Sequence, residues 1–389
     1  MPLTSPFTPG DLPRVLIGRV RERSRLGDLL ARVTAYGEMA GPPVVLHAPR
    51  GLGKTSLLRD TEERARELGF VTAWVACAKS SPMLTELVSA VRRALVEADV
   101  LDDRARRGIL ESISVEFALF GVSLTTEFGR GDAPAEPPAG AISGLERVLH
   151  EAASTIRARG GAGLLVLIDE LHAGPYAELG VLLNTVQNLA GRRSENPVAV
   201  MTAGLPSTPE MIMRAATFGE RSEFIALDRF DESDASKVLV EPAAAYEIGW
   251  AADALVEALD IADGNPYLLQ LVGDATWRAA SPGAGGETLQ LAHVHAGGEA
   301  MSGQLEAMCR ARWDSASDLE QAFLAAMADF GKEVVPREHI ATTMGRDSRA
   351  IRVPRARLID RGIIEAAGRG RLRFTLPGMA AWIRDYQLG

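Results

Sequence analysis

Between the apolar run PPVVLH and a stretch of helical periodicity stands HAPRGLGKTS, residues 47–56. Two glycines, a lysine and two hydroxyls at a strand-to-helix junction suit the holding of a polyphosphate. Ala48–Thr55 fits the pattern (Ala/Gly)-x-x-x-x-Gly-Lys-(Ser/Thr). Gly51 and Gly53 let the backbone curl so that its N–H groups converge on phosphate oxygens, at a helix amino terminus whose dipole favours anions. Ala48, Pro49, Arg50, Gly51, Leu52, Gly53, Lys54, Thr55 and Ser56 then form the nucleotide cradle. Lys54 would bridge the β- and γ-phosphates and Thr55 would offer its hydroxyl to Mg²⁺.

A second element reinforces the first. LLVLIDE, residues 164–170, is a buried-strand pattern ending in Asp169 and Glu170. Charges at the carboxyl end of such a strand are costly unless they face a cleft and a cation. Asp169 is expected to hold Mg²⁺, directly or through water, and Glu170 to orient or activate an attacking water. With the glycine loop on an adjoining strand, the set grips the magnesium complex of ATP or GTP.

The surrounding pattern supplies the elements these residues need. VRERSRLGDLLARV reads as an amphipathic helix, PPVVLH, FVTAWVA, GLLVLIDE, PVAVMTAG and SEFIAL as strands, and residues 54–68, 83–98, 141–158 and about 176–190 as helices. In the second helix Leu57, Leu58, Ala65 and Leu68 recur at helical spacing, and Gly69 stops it. Helices alternating with apolar strands mean an α/β fold, a parallel sheet covered on both faces. Residues 113–128 read as a hairpin and 129–140 as an exposed loop. After Leu227 the pattern is helical to about Ala280, SPGAGGETLQ reads as a linker, and the tail reads as three helices and a Gly-Arg-Gly hairpin, the order of a winged helix-turn-helix.

These motifs together resemble the AAA+ ATPases shared by archaeal origin-recognition initiators and the related STAND signal-transduction ATPases. The likeness spans nearly the whole chain: IGRVRER, Ala48–Ser56, Asp169–Glu170, GERSEFIAL, GNPYLLQ and the tail. It implies a P-loop NTPase core with a helical lid and a C-terminal winged helix, and it favours ATP over GTP. By this resemblance Ile17 and Arg19, around Gly18, lie against the adenine, and Arg221 is an arginine finger reaching a neighbour's γ-phosphate, counted with Lys54 and Glu170 in the catalytic set. The lid motif here is Gly264-Asn265-Pro266-Tyr267, closer to the GxP signature of STAND proteins than to an initiator's arginine. The position matching the family's sensor asparagine has Thr202 as its nearest polar residue. Both departures point to slow hydrolysis or a switch.

The tail carries its own chemistry. From Lys332 to the end stand 12 Lys+Arg against 6 Asp+Glu, a local +6 in a chain of net charge −9, so the preceding residues carry −15. Arg355, Arg357 and Arg361 fall on the third helix of the tail, with Leu358 and Ile359 on its buried side, while Arg369, Arg371 and Arg373 flank the hairpin turn. A basic recognition helix beside a basic wing is how winged helices meet double-stranded DNA. The same arginines would equally meet the protein's own carboxylates if the winged helix packs on the ATPase core. His172 and the His293-Val294-His295 pair read as a polar strand end and a chance spacing.

With 389 residues, 47% hydrophobic and 24% charged, the chain is an ordinary globular one of several domains. The expected division is a tail at 1–13, a nucleotide-binding core at 14–228, a lid and linker at 229–312 and a winged helix at 313–389. Cys77 and Cys309 are far apart and suggest neither disulfide nor zinc. MPLTSPFTPGDLP lacks a signal-peptide core and no run is long enough to span a bilayer, so the expected location is cytoplasmic, without a membrane partner. Three functions stay open: an ATP hydrolase of slow turnover whose nucleotide state governs DNA engagement, a regulatory switch read out by a protein partner or by self-association, and nucleotide binding for stability alone.

Overall fold

The structure, a computed structural model, describes residues 2–79, 81–98 and 139–388. The hairpin expected at 113–128 and the loop expected at 129–138 lie outside them; residues 139 and 140 already belong to a helix. Two compact units emerge, one comprising Arg19–His47 and Lys54–Leu227, the other Met1–Gly18, Ala48–Gly53 and Asp228–Gly389.

The first unit is built on five parallel strands, β1 (Val44–His47), β2 (Phe70–Ala76), β3 (Gly163–Asp169), β4 (Val198–Gly204) and β5 (Glu223–Ala226), in the order β2-β3-β4-β1-β5. Every residue of β3 and β4 is buried. Burial on both faces explains why these strands read as continuous apolar runs without alternation. Among the described residues six helices accompany them: α1 (Val20–Tyr36), α2 (Lys54–Glu67), α3 (Met83–Glu97), α4 (Ala139–Ala158), α5 (Tyr176–Gly191) and α6 (Thr208–Ala215). The core gathers Val45, Leu84, Val91, Leu149, Val166, Ile168 and Leu182. Two expectations need correction. Strand β4 intervenes between β1 and β3, so the loop-bearing and acid-bearing strands do not adjoin. Helix α2 ends at Glu67, and Leu68 is exposed rather than part of its buried stripe.

The second unit holds α7 (Glu232–Ala244), α8 (Ala252–Ala262), α9 (Pro266–Ala280) and α10 (Leu291–Asp314), with a two-residue parallel pairing of β6 (Gly249–Trp250) and β7 (Thr288–Leu289). A C-terminal module follows: α11 (Asp318–Asp329), β8 (Val335–Pro336), α12 (Arg337–Thr343), α13 (Arg352–Asp360), β9 (Ile364–Ala366), β10 (Arg371–Phe374) and α14 (Met379–Ile383), its strands antiparallel in the order β8-β10-β9. One buried cluster runs from Leu239 and Trp277 through Val294 to Phe323, Leu358 and Ile383. Helix α10 passes through residue 312, where a boundary was expected.

The amino-terminal segment, expected as a tail, is docked in this unit. Phe7 is 3% exposed and meets Trp277 edge-on at 6.4 Å, and the Trp277 indole donates to the Leu3 carbonyl at 3.0 Å. An ion network joins the C-terminal module to the helices before it. Arg229 donates to Glu365, to the side chain and carbonyl of Asp263, and to the carbonyls of Phe374 and Thr375. Its side chain is 9% exposed and that of Glu365 13%. Removing one partner of such a buried set leaves several acceptors without a donor. Arg229→Met is therefore expected to lower unfolding free energy by about 3 kcal/mol. Urea denaturation followed by tryptophan fluorescence measures this, and an unchanged midpoint would contradict it.

Candidate functional site

The sequence between β1 and α2 turns where its glycines allow it. Gly51 and Gly53 take φ of 85° and 83°, the left-handed region in which a side chain is strained. Helix α2 then begins at Lys54, whose side chain is buried at its amino terminus, and Ala48 and Leu52 are buried at either end of the curl. Arg50 is exposed. The dipole of α2 and the loop amides give this turn the electrostatic character of an anion cradle.

Thr55 and Asp169 meet despite the strand between them. The Thr55 hydroxyl donates to Asp169 Oδ2 at 2.7 Å, and the Glu170 amide donates to Oδ1 at 2.8 Å. Asp169 is 5% exposed. A hydroxyl and a carboxylate oxygen this close suit a hard cation, and two protein oxygens are what Mg²⁺ takes when phosphates and waters complete its shell. The donor set therefore fits magnesium.

Glu170 is placed differently from its neighbour. Its backbone is left-handed, with φ of 52°, so the chain leaves the strand line at this residue and enters the short turn Leu171–Ala173. Its side chain stays 35% exposed, with Oε2 3.4 Å from His172 Nε2. Of the two adjacent acids the buried one suits a cation and the open one suits water. Thr202, the sensor candidate, is 2% exposed and its hydroxyl donates to the Val44 carbonyl at 3.3 Å.

Arg221 ends a short turn, Gly219–Arg221, and is exposed with no ion pair among the described residues; Glu223 instead binds Arg25 at 2.6 Å. It precedes β5, and Glu223 pairs with Val44, the first residue of β1. Arg221 thus lies at the amino ends of the strands, roughly 13 Å of strand away from the carboxyl ends where Asp169 stands. Ile17 is buried among Phe7, Leu239 and Leu268, and Arg19 is left-handed, buried and 3.8 Å from Glu22.

Gly264-Asn265-Pro266-Tyr267, expected as a lid signature, opens α9. Asn265 caps α9, accepting from the amides of Tyr267 and Leu268, with Pro266 in the first turn. The Tyr267 amide also lies 3.2 Å from the Gly51 carbonyl. His293 is explained as well, since its ring accepts from the Gln290 amide in a capping box that starts α10.

The six tail arginines separate into two groups. Arg361 lies just past α13, not on it, and pairs with Glu320 at 2.8 Å and with the Ser315 carbonyl. Arg373 pairs with Glu365 at 2.6 Å and Glu333 at 3.4 Å. These two were expected at a nucleic-acid surface and are instead neutralised within the chain, Arg361 by a carboxylate 41 residues earlier and Arg373 chiefly by its cross-strand partner in β9. Arg357, Arg369 and Arg371 are exposed, and Arg355 is half-buried. No helix among the described residues is long and apolar enough to cross a membrane.

Residues 15–201 match the family described as AAA ATPase domain, and residues 306–383 match one described as a domain of unknown function (DUF8462). The match to the AAA ATPase domain covers just under half of the chain, and the five-stranded parallel sheet with its helices has the P-loop AAA+ fold. Among solved structures it is similar to the Walker-type ATPase PABY2304 of Pyrococcus abyssi, at 14% identity over 97% of this chain and 98% of that one, with a TM-score of 0.60. Weaker likenesses are to Cdc6p from Pyrobaculum aerophilum (16% identity, 97% and 96% covered, TM-score 0.47) and to the ORC1 protein of Aeropyrum pernix in complex with DNA (15%, 97% and 95%, 0.46). No curated protein matches.

Proposed function

We propose that this AAA ATPase binds Mg·ATP on the glycine loop, hydrolyses it slowly, and uses nucleotide state to set the position of a C-terminal winged helix. The division follows the function: a core at 14–228, a lid at 229–312 and a winged helix at 313–389. The observation that carries the reading is the bond between the Tyr267 amide and the Gly51 carbonyl. It ties the start of α9 to the apex of the cradle. Two residues before α9's cap, Asp263 binds Arg229 and lies 3.9 Å from Arg373 of the C-terminal module. A movement of the loop would reach that module through one short peptide.

Within the site each residue has a definable task. Lys54 offsets phosphate charge at the head of α2. Thr55 and Asp169 hold the cation, and magnesium, when bound, supplies the positive charge that stabilises the leaving phosphate. Glu170 accepts the proton of the attacking water. Ile17 and Arg19 face the base. Arg221 acts only on a neighbouring copy, since its position at the strands' amino ends removes it from its own site. The engaged hydroxyl of Thr202 and the absence of an arginine at residues 264–267 support slow turnover.

The switch reading is tested by hydrogen exchange. Backbone amides of residues 362–375 are expected to exchange at different rates with Mg·ATP and Mg·ADP bound; identical rates at saturating nucleotide would exclude coupling. Engagement of double-stranded DNA is the second reading, favoured by the exposure of Arg357, Arg369 and Arg371. There, reversing Arg357 and Arg371 to Glu should weaken duplex binding, measured by anisotropy, by about 10-fold or more at low salt and less at moderate salt.

A further inference from the structure

Of the half-buried arginines described in the second unit, three meet a carboxylate and three, Arg312, Arg337 and Arg355, do not. Arg229 and Arg373 meet Glu365, and Arg361 meets Glu320. Arg312 stands in the last turn of α10, and its Nη1 donates to the Thr375 hydroxyl at 2.7 Å. That hydroxyl in turn lies 2.7 Å from the Gly362 carbonyl. Gly362 is seated against the glycine loop so closely that a Cβ there would come within 3.2 Å of the Arg50 amide. The guanidinium of Arg312 is thus linked, through one hydroxyl and one glycine, to the loop that carries Arg50.

Neither Arg50 nor Arg312 has an ion-pair partner among the described residues. Burial pushes the Arg312 pKa down and the charge of Arg50 acts in the same direction, opposed by Cys309 and Tyr267. The carbonyls ending α10 offer about half a negative charge, too little to balance two cations. The Arg312 guanidinium has lost solvation and lies near a second cation, a cost that an anion bound between the two would offset. A planar fork is also the side chain best shaped to take two oxygens of one phosphate.

We propose that Arg312, together with Arg50, recognises the terminal phosphate of a nucleoside triphosphate held on the loop, giving up its bond to Thr375 when it does so. This inference rests on the nucleotide reading above and adds what that reading lacks, a residue that tells a triphosphate from a diphosphate. It places the discriminating group on α10, at the entrance to the C-terminal module, and outside the lid motif. Release of Thr375 would loosen the segment Gly362–Thr375 when triphosphate is bound.

Isothermal titration of the full chain with Mg·AMP-PNP and with Mg·ADP separates the possibilities. Arg312→Gln is expected to weaken AMP-PNP roughly 10- to 100-fold and to change ADP less than about twofold. Arg312→Lys keeps the charge without the fork and should recover part of the loss; it also supplies the measurement if the glutamine variant does not fold. Unchanged AMP-PNP affinity in both variants overturns the proposal, as does an equal fall for both nucleotides, which marks a structural role. If the unsubstituted protein binds neither nucleotide, the nucleotide reading fails and this inference with it.

Discussion

Glu170→Gln is expected to leave Mg·ATP affinity within about twofold of the unsubstituted protein while slowing turnover by roughly 10²- to 10⁴-fold, the usual contribution of a general base. The amide matches the carboxylate in shape but takes no proton from water. Binding should survive because the cation-facing oxygens belong to Asp169, whose partners are the Thr55 hydroxyl and a backbone amide. The left-handed backbone at Glu170 turns its side chain out of the buried strand line, so the substitution disturbs little packing. Single-turnover phosphate release and titration with ATP, done on the same preparation, read the two quantities. Equal loss of both would show that Glu170 organises the site instead of moving a proton.

Lys54→Ala should have the larger effect on binding, about 100-fold or more in the dissociation constant, the scale of a strong charge-assisted contact. Lys54 is 6% exposed at the first residue of α2, where few water molecules can take the place of its side chain. Because alanine is the best helix former, α2 itself should persist. The melting temperature without nucleotide should therefore stay close to that of the parent, while the rise on adding Mg·ATP disappears. A variant that still shows the full thermal shift would place the phosphates elsewhere.

These expectations draw on residues whose signals are local. The cradle was visible because two left-handed turns need glycine and because a lysine and hydroxyls follow them at fixed spacing. Asp169 and Glu170 stood out because charge is rare at the end of a strand as apolar as LLVLI. The strands themselves were legible as short apolar runs, and the helices as repeats near 3.6 residues. The exposed Leu68 shows the limit of that pattern at a helix end, where a turn residue continues the spacing without the burial.

The partition of the arginines shows a different limit. Arg357 and Arg361 look alike in VPRARLIDRG, yet one is exposed and the other is paired with Glu320, 41 residues away. Likewise Arg371 and Arg373 lie on one face of β10, two residues apart, yet Arg371 is exposed and Arg373 is neutralised by Glu365, its cross-strand partner in β9. Which arginine finds a carboxylate depends on what the neighbouring elements place opposite it.

The sequence by itself thus determined the class of fold, the phosphate-type turn and the acid pair, all of which rest on backbone conformation and burial encoded within about ten residues. Tertiary structure alone decided the strand order that puts β4 between the two motifs, the docking of Phe7 on Trp277, and the meeting of Gly51 with Tyr267 and of Arg312 with Thr375. Those are pairings between distant segments, fixed by the sum of many weak contacts when the core closes, and no short stretch of residues carries that sum.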